Sequence, residues 1–275
     1  MIFDVNGEYG YELQSVVPLV NYYHNKGIDV VVNSHKGSSF IYPNIKVNEV
    51  HSRRQSFIEL KVDGESYYKR NNHSAGMWSK PIVGDKLFHE DKWLPPDFKG
   101  YYSKKYKMEF DKPLLIISNK IQNEWDLGPI NYYDIDTLQG IFNLCSDKFT
   151  IIYNRPNIHD IINDETLQMS FDDKELCEEN GIITIQNMME EYDMSYNEIQ
   201  MALYSNSDYF LSTQGGNSVL AAYFGGKNII YAVRGYEVKW DAYNTWFHKL
   251  SNQKVYHSLN YDDVLDTIKK EFINE

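Results

Sequence analysis

The sequence predicts an α/β protein in which two units, each a mostly parallel sheet with helices, face one another across a cleft. Three observations predict it. Short apolar runs alternate with helically spaced apolar residues at both ends of the chain. The 275 residues are more than one typical core needs, and suit two domains or one large α/β domain. Polar, glycine and basic clusters follow several of the apolar runs, where open parallel sheets present ligand-binding loops. Two units of similar size is the economical architecture.

The elements follow in order. Ile2-Phe3-Asp4-Val5 reads as a strand and Asn6 to Gly10 as a loop. Leu13, Val16, Val17 and Val20 recur at helical spacing, so the chain is helical to Tyr23, with Gly27 as the residue that ends the helix. Ile28 to Val32 is the second strand of a βαβ start. From Asn33 to Asp111 the pattern weakens. Phe57 to Leu60 is strand-like, while Trp78, Pro81, Trp93, Pro95 and Pro96 sit in loop-like segments that suit a lid or substrate surface.

Regularity returns at Lys112. Pro113–Ile117, Phe149–Tyr153, Ile182–Ile185, Tyr209–Leu211 and Asn228–Tyr231 read as strands. Helices fall at Asp136–Leu144, Tyr196–Tyr204 and Ser218–Phe224, and an amphipathic helix runs from Tyr261 to Phe272. The expected division is 1–111, 112–250 and a terminal strand and helix at 251–275 that can return to pack on the N-terminal domain.

Composition narrows the function. Hydrophobic residues make up 42% and charged residues 24%, the profile of a globular protein. A net charge of −12 argues against broad affinity for nucleic acid or anionic membranes. Cys145 and Cys177 lie in no zinc-binding spacing, and the eight histidines form no HExxH pattern. No signal-like leader and no apolar run of membrane-spanning length occurs, so the expected location is the cytoplasm. The GxSxG, GxGxxG and Walker patterns are all missing, against the commonest hydrolase, dehydrogenase and NTPase readings.

What remains is the strand-end clusters. Ser212-Thr213-Gln214-Gly215-Gly216-Asn217-Ser218 joins an apolar strand to a helix, and such a junction directs unpaired N–H groups at an anion. It can equally be a plain connecting loop. Asn6-Gly7-Glu8, Ser118-Asn119-Lys120 and Asn154-Arg155-Pro156 follow three other strands. Lys120, Arg155 and the glycine turn together would neutralise a pyrophosphate without a metal. Arg155 can instead pair with the acidic stretch from Asp160 to Asp173.

These pieces resemble GT-B-fold glycosyltransferases, the heptosyltransferase-like ones in particular. Asn6 to Leu13 leading to Pro18 is similar to their first loop and helix, and Leu211 to Ala222 to their donor-domain loop and Leu-Ala-Ala helix. Asn119-Lys120, Glu124-Trp125 and Tyr153-Asn154-Arg155-Pro156 resemble glycosyltransferases assigned to bacterial polysaccharide clusters and large DNA viruses. The likeness covers about half the chain in pieces. Where the heptosyltransferase loop has a histidine, Asn217-Ser218 stands here, which implies a different donor.

The resemblance implies two Rossmann-like domains, with a nucleotide-sugar (UDP-, GDP- or dTDP-linked) in the C-terminal one and the glycan acceptor against the N-terminal one; the aromatic segment from Tyr67 to Tyr102 is where the acceptor is expected to dock. It implies inverting, metal-independent transfer with no cofactor beyond the donor. Glu8 would be the general base with Glu12 in reserve, although either can simply stabilise the first helical turn. Lys120, Arg155 and the amides of Gly215 and Gly216 would hold the diphosphate, with Asn154, Thr213, Gln214, Asn217 and Ser218 lining the donor. Trp125 can stack on a ligand or pack in the core. Two rival readings are a manganese-dependent GT-A transferase using Asp134 and Asp136, and a non-catalytic nucleotide- or sugar-binding module. Asp134-Ile135-Asp136 precedes a helix rather than following a strand, which favours a helix-capping role.

Overall fold

The structure is a computed structural model, and it describes residues 1–55, 59–69, 90–123, 128–157 and 169–274. Glu124 and Trp125 lie outside the described residues, as does most of the aromatic segment expected at the acceptor.

Two sheets carry the fold. The first runs β3-β2-β1-β4-β5, from β1 (Ile2–Asn6), β2 (Val31–His35), β3 (Lys46–His51), β4 (Glu59–Val62) and β5 (Glu65–Lys69). Strands β1 to β3 are parallel, whereas β4 and β5 add antiparallel on the other side of β1. The second sheet is parallel throughout. Its order is β11-β10-β9-β6-β7-β8, from β6 (Leu114–Ser118), β7 (Thr150–Asn154), β8 (Ile183–Thr184), β9 (Tyr209–Thr213), β10 (Lys227–Tyr231) and β11 (Lys254–Ser258). That order is doubly wound: the chain winds outward from β6 in one direction and then restarts at β9 in the other. The crevice of such a sheet opens where the order reverses, between the carboxyl ends of β6 and β9.

The apolar strands of the second sheet read as predicted because it is covered on both faces, except that the run expected at Ile182–Ile185 keeps only Ile183–Thr184 as strand and Ile185 opens a helix capped by Thr184. Leu114 and Ile116 point into one core with Phe210 and Ile230, while Leu115 and Ile117 point into another with Leu211 and Ile229. The first of these cores is shared with the other sheet, since it also holds Phe3, Val5, Val16 and Val20. Buried contacts tie the two together. The Tyr223 hydroxyl donates to the Leu13 carbonyl at 2.6 Å, and the Phe98 and Tyr223 rings stack at 4.4 Å.

Four other expectations shift. The first helical run spans 9–25 and ends where Gly27, at φ 77°, lets its own N–H reach His24 O and that of Ile28 reach Tyr23 O. The second strand starts at Val31 rather than Ile28, because the Val31 N–H donates to the Met1 carbonyl and sets the register with β1. A helix at Phe98–Lys105, capped by Asp97 accepting from the Gly100 N–H, occupies part of the segment read as loop. The terminal helix Tyr261–Ile268 packs on the second sheet, not on the N-terminal domain: Val264, Ile268 and the following Phe272 fill the core beside Ile229 and Tyr231.

Candidate active site at the strand ends

Lys120 lies two residues beyond β6, and the glycine turn follows β9, so both stand at the reversal point of the second sheet. Gly215 has φ 124°, which only glycine takes readily, and a Cβ built on it would come 3.3 Å from Lys120 Nζ. The Lys120 side chain is therefore folded over the turn. Asn119 fixes that approach: its Oδ1 accepts from the Lys120 and Tyr133 N–H groups at 3.0 Å each, and its Nδ2 donates to Tyr133 O and the Tyr153 hydroxyl.

The loop after β1 meets the same turn. A Cβ on Gly10 would lie 3.6 Å from Gly216 Cα, and one on Gly216 would lie 2.9 Å from Tyr9 Cδ1. Gly216 is thus demanded by contact between the two sheets' loops. Glu8, half-buried, sits at the start of the helical run beside this contact, with its carbonyl accepting from the Glu12 N–H.

Glu12 has different surroundings. It is fully buried, with Oε1 accepting from Ser34 Oγ at 2.5 Å and the Tyr42 hydroxyl at 2.9 Å, and Oε2 accepting from Arg54 Nη1 at 2.6 Å. Burial pushes this carboxyl up, but the Arg54 charge and the hydrogen bonds from His35, Ser34 and Arg54 outweigh it and hold it at about 2. Arg54 also donates to the Gly7 carbonyl at 3.1 Å and lies over the Tyr9 ring, so the Glu12–Arg54 pair braces the loop that carries Glu8. The reserve base is a structural anion.

Arg155 is committed as well. Its guanidinium makes a bidentate pair with buried Asp173, Nε to Oδ2 and Nη2 to Oδ1 at 2.5 Å each. Its charge is spent on that carboxylate, and of the two readings open to it the ion pair is the one the structure contains.

The remaining candidates divide in the same way. Asn154, fully buried, accepts from the Tyr196 hydroxyl at 2.8 Å and donates to that of Tyr204 at 2.9 Å. Thr213 is buried at the end of β9, and Ser218 turns its hydroxyl back to the Gly215 carbonyl at 2.8 Å. Gln214 is buried between Asn131 and Glu237, accepting from Asn131 Nδ2 at 2.5 Å and donating to Glu237 Oε2 at 2.6 Å. Asn217 is half-exposed, its Oδ1 accepting from Gln200 Nε2 at 3.3 Å. Glu8, Gly215, Gly216 and Asn217 are thus partly accessible beside the Gly10–Gly216 contact, with Lys120 over Gly215, while Asn154, Thr213, Gln214 and Ser218 are buried behind them.

Part of that buried layer escaped the sequence reading. Tyr196, Gln200 and Tyr204 form a stripe at four-residue spacing on the helix Tyr196–Ser205, and Gln200 Nε2 reaches both hydroxyls. The spacing was visible, but an aromatic stripe reads as core. Arg54, Asn131 and Glu237 had no local signal, because their partners lie 23 to 83 residues away.

Asp134 caps the helix Ile135–Cys145, accepting from the Thr137 N–H at 2.8 Å, and Asp136 is exposed in its first turn. Among the described residues no group of three or more His, Cys, Asp or Glu side chains could hold a metal ion. A groove of about 470 Å³ lies on the helix Phe98–Lys105, lined by Asp97, Gly100, Tyr101, Lys104 and Lys105.

Solved structures share this fold over 98% or more of the chain. The fold is the two-domain GT-B fold of the heptosyltransferases. Against E. coli heptosyltransferase WaaC with ADP the TM-score is 0.59 at 12% identity, covering 98% of each chain. Against E. coli ADP-heptose lps heptosyltransferase II it is 0.53 at 8% identity, covering 98% of this chain and 97% of that one. A family 9 glycosyl transferase from Veillonella parvula gives 0.50 at 7% identity over 100% of this chain and 89% of that one. No family model and no curated protein matches the sequence. Identities this low speak for the fold. No helix among the described residues is long and apolar enough to cross a membrane.

Proposed function

We propose that the protein is an inverting, metal-independent glycosyltransferase that moves a sugar from a nucleoside-diphosphate donor to a hydroxyl of a glycan acceptor. The observation that carries this reading is the meeting of Lys120, the Gly215–Gly216 turn and the Glu8 loop at the reversal point of the second sheet. A cation and close-approaching backbone on one side, with a carboxylate on the other, is what the reaction needs. Glu8 takes the acceptor hydroxyl's proton as its oxygen bonds to the anomeric carbon. The bond from that carbon to the phosphate oxygen breaks, and its electron pair leaves with the nucleoside diphosphate, whose charge Lys120 and the turn offset.

The GT-B neighbours support a nucleotide-sugar donor, and one of them is described with ADP. In this reading residues 1–111 serve the acceptor, residues 112–250 serve the donor, and the donor is a UDP-, GDP- or dTDP-sugar. Cys145 and Cys177 are free and buried, which suits a reducing cytoplasm. Glu8→Gln tests the base. Transfer should fall about 100-fold or more while donor affinity stays at the wild-type level. Wild-type turnover by that variant would show that Glu8 does not take the proton.

A further inference from the structure

Arg155, the second cation expected on the β7 side, is neutralised by Asp173. The strand on the other side of the reversal point, β10, ends at Tyr231, and Arg234 follows three residues later with its side chain exposed. Its main chain is held on both edges. Asn131 Nδ2 donates to the Arg234 carbonyl at 2.7 Å, and Asn131 Oδ1 accepts from the N–H groups of Val233 at 2.8 Å and Arg234 at 3.3 Å.

The same Asn131 amide donates to Gln214, the residue directly before Gly215, and Gln214 in turn donates to Glu237. Asn131, Gln214 and Glu237 are all buried, so three polar side chains are taken out of water to fix the Arg234 backbone to the glycine turn. That desolvation is costly unless every group is paired, and it fixes the main chain of a loop whose one cation, Arg234, is exposed. Among the described residues the Arg234 guanidinium has no hydrogen bond or ion pair. Lys120 stands over Gly215 from the β6 side.

We propose that Arg234 is the second cation of the donor site and grips the nucleoside diphosphate from the β10 side, opposite Lys120. The inference rests on the glycosyltransferase reading above. An arginine is suited to the task because its planar fork can bind two phosphate oxygens at once. Gln214, expected to line the donor, then serves as the tether that sets Arg234.

Calorimetric titration of the full chain with ADP, GDP, UDP and dTDP tests this. The wild type should bind at least one of the four, and Arg234→Ala should weaken that binding about 10- to 100-fold, the range for a lost charge-assisted contact. Arg234→Lys should keep part of it, and the melting temperature without ligand should not move in either variant. Unchanged affinity in Arg234→Ala would overturn the proposal and leave the donor reading standing. Equal losses in both variants together with a lowered melting temperature would mark a structural role and overturn it too. If the wild type binds none of the four, the donor reading itself fails.

Discussion

Glu8 and Glu12 stand four residues apart at the start of one helical run, and the fold gives them different surroundings. Glu12 is closed to solvent among Arg54, Ser34, Tyr42 and His35, while Glu8 is half-buried beside the Gly10–Gly216 contact. The Glu12 carboxyl sits at about 2, below its ordinary 4.5, so its contribution to stability is fully present above about pH 4.5 and is lost as the pH falls toward 2. His35 acts in the same direction at higher pH. Burial lowers it below 6.5, so stability is lost as acid protonates it. Glu12→Gln leaves Arg54 buried without a counter-charge and should cost about 3 kcal/mol at pH 7. The gap between wild type and variant should narrow by roughly 2 kcal/mol at pH 3, where the unfolded wild-type carboxyl takes up a proton. Urea unfolding at the two pH values reads both numbers, and an equal gap at each would show that the buried pair does not set the acid limb.

At the scale of elements, the helix Ile135–Cys145 separates capping from metal chemistry. Asp134 accepts from the Thr137 N–H, a bond that asparagine can replace and alanine cannot. Asp134→Ala should lose about 1 kcal/mol in stability and Asp134→Asn almost none, with transfer at the wild-type rate in both. A stable but inactive Asp134→Asn would return the Asp-x-Asp pair to the reaction. This helix was legible because its apolar spacing and its cap agree. The same holds for the first helical run and for strands of the second sheet, whose unbroken apolar runs are buried on both faces. Residues 33–111 were harder to read. The strands β3 to β5 there are short and β3 is half-exposed, and the helix Phe98–Lys105 buries only Phe98 and Tyr102 among lysines. At the site, the strand-end clusters were visible but their commitments were not. Arg155 finds Asp173 18 residues on, and Glu12 finds Arg54 42 residues on, pairings that depend on the folded sheet.

At the scale of the molecule, one core spans both sheets, from Phe3 and Val5 of β1 to Leu114, Ile116, Phe210 and Ile230 of the second. The Tyr223–Leu13 hydrogen bond and the Gly10–Gly216 contact tie the loops at the crevice to that core. A ligand held at the crevice therefore stabilises the folded chain as a unit rather than one half of it. Binding only to the folded state adds about 2.7 kcal/mol at a hundred times the dissociation constant. For a chain of this size each kcal/mol raises the melting temperature by about 2–4 °C, so a saturating nucleoside diphosphate should shift a single transition upward by roughly 5–10 °C. Differential scanning fluorimetry with ADP, UDP, GDP, CMP and dTDP reads the shift and ranks the bases. The nucleotide that shifts most identifies the donor's nucleotide moiety. Two separate transitions, with only the upper or the lower one responding, would show that the shared core does not couple the sheets. The nucleotide would then be held by one sheet alone, and the proposed placing of the Glu8 loop opposite the diphosphate would fail.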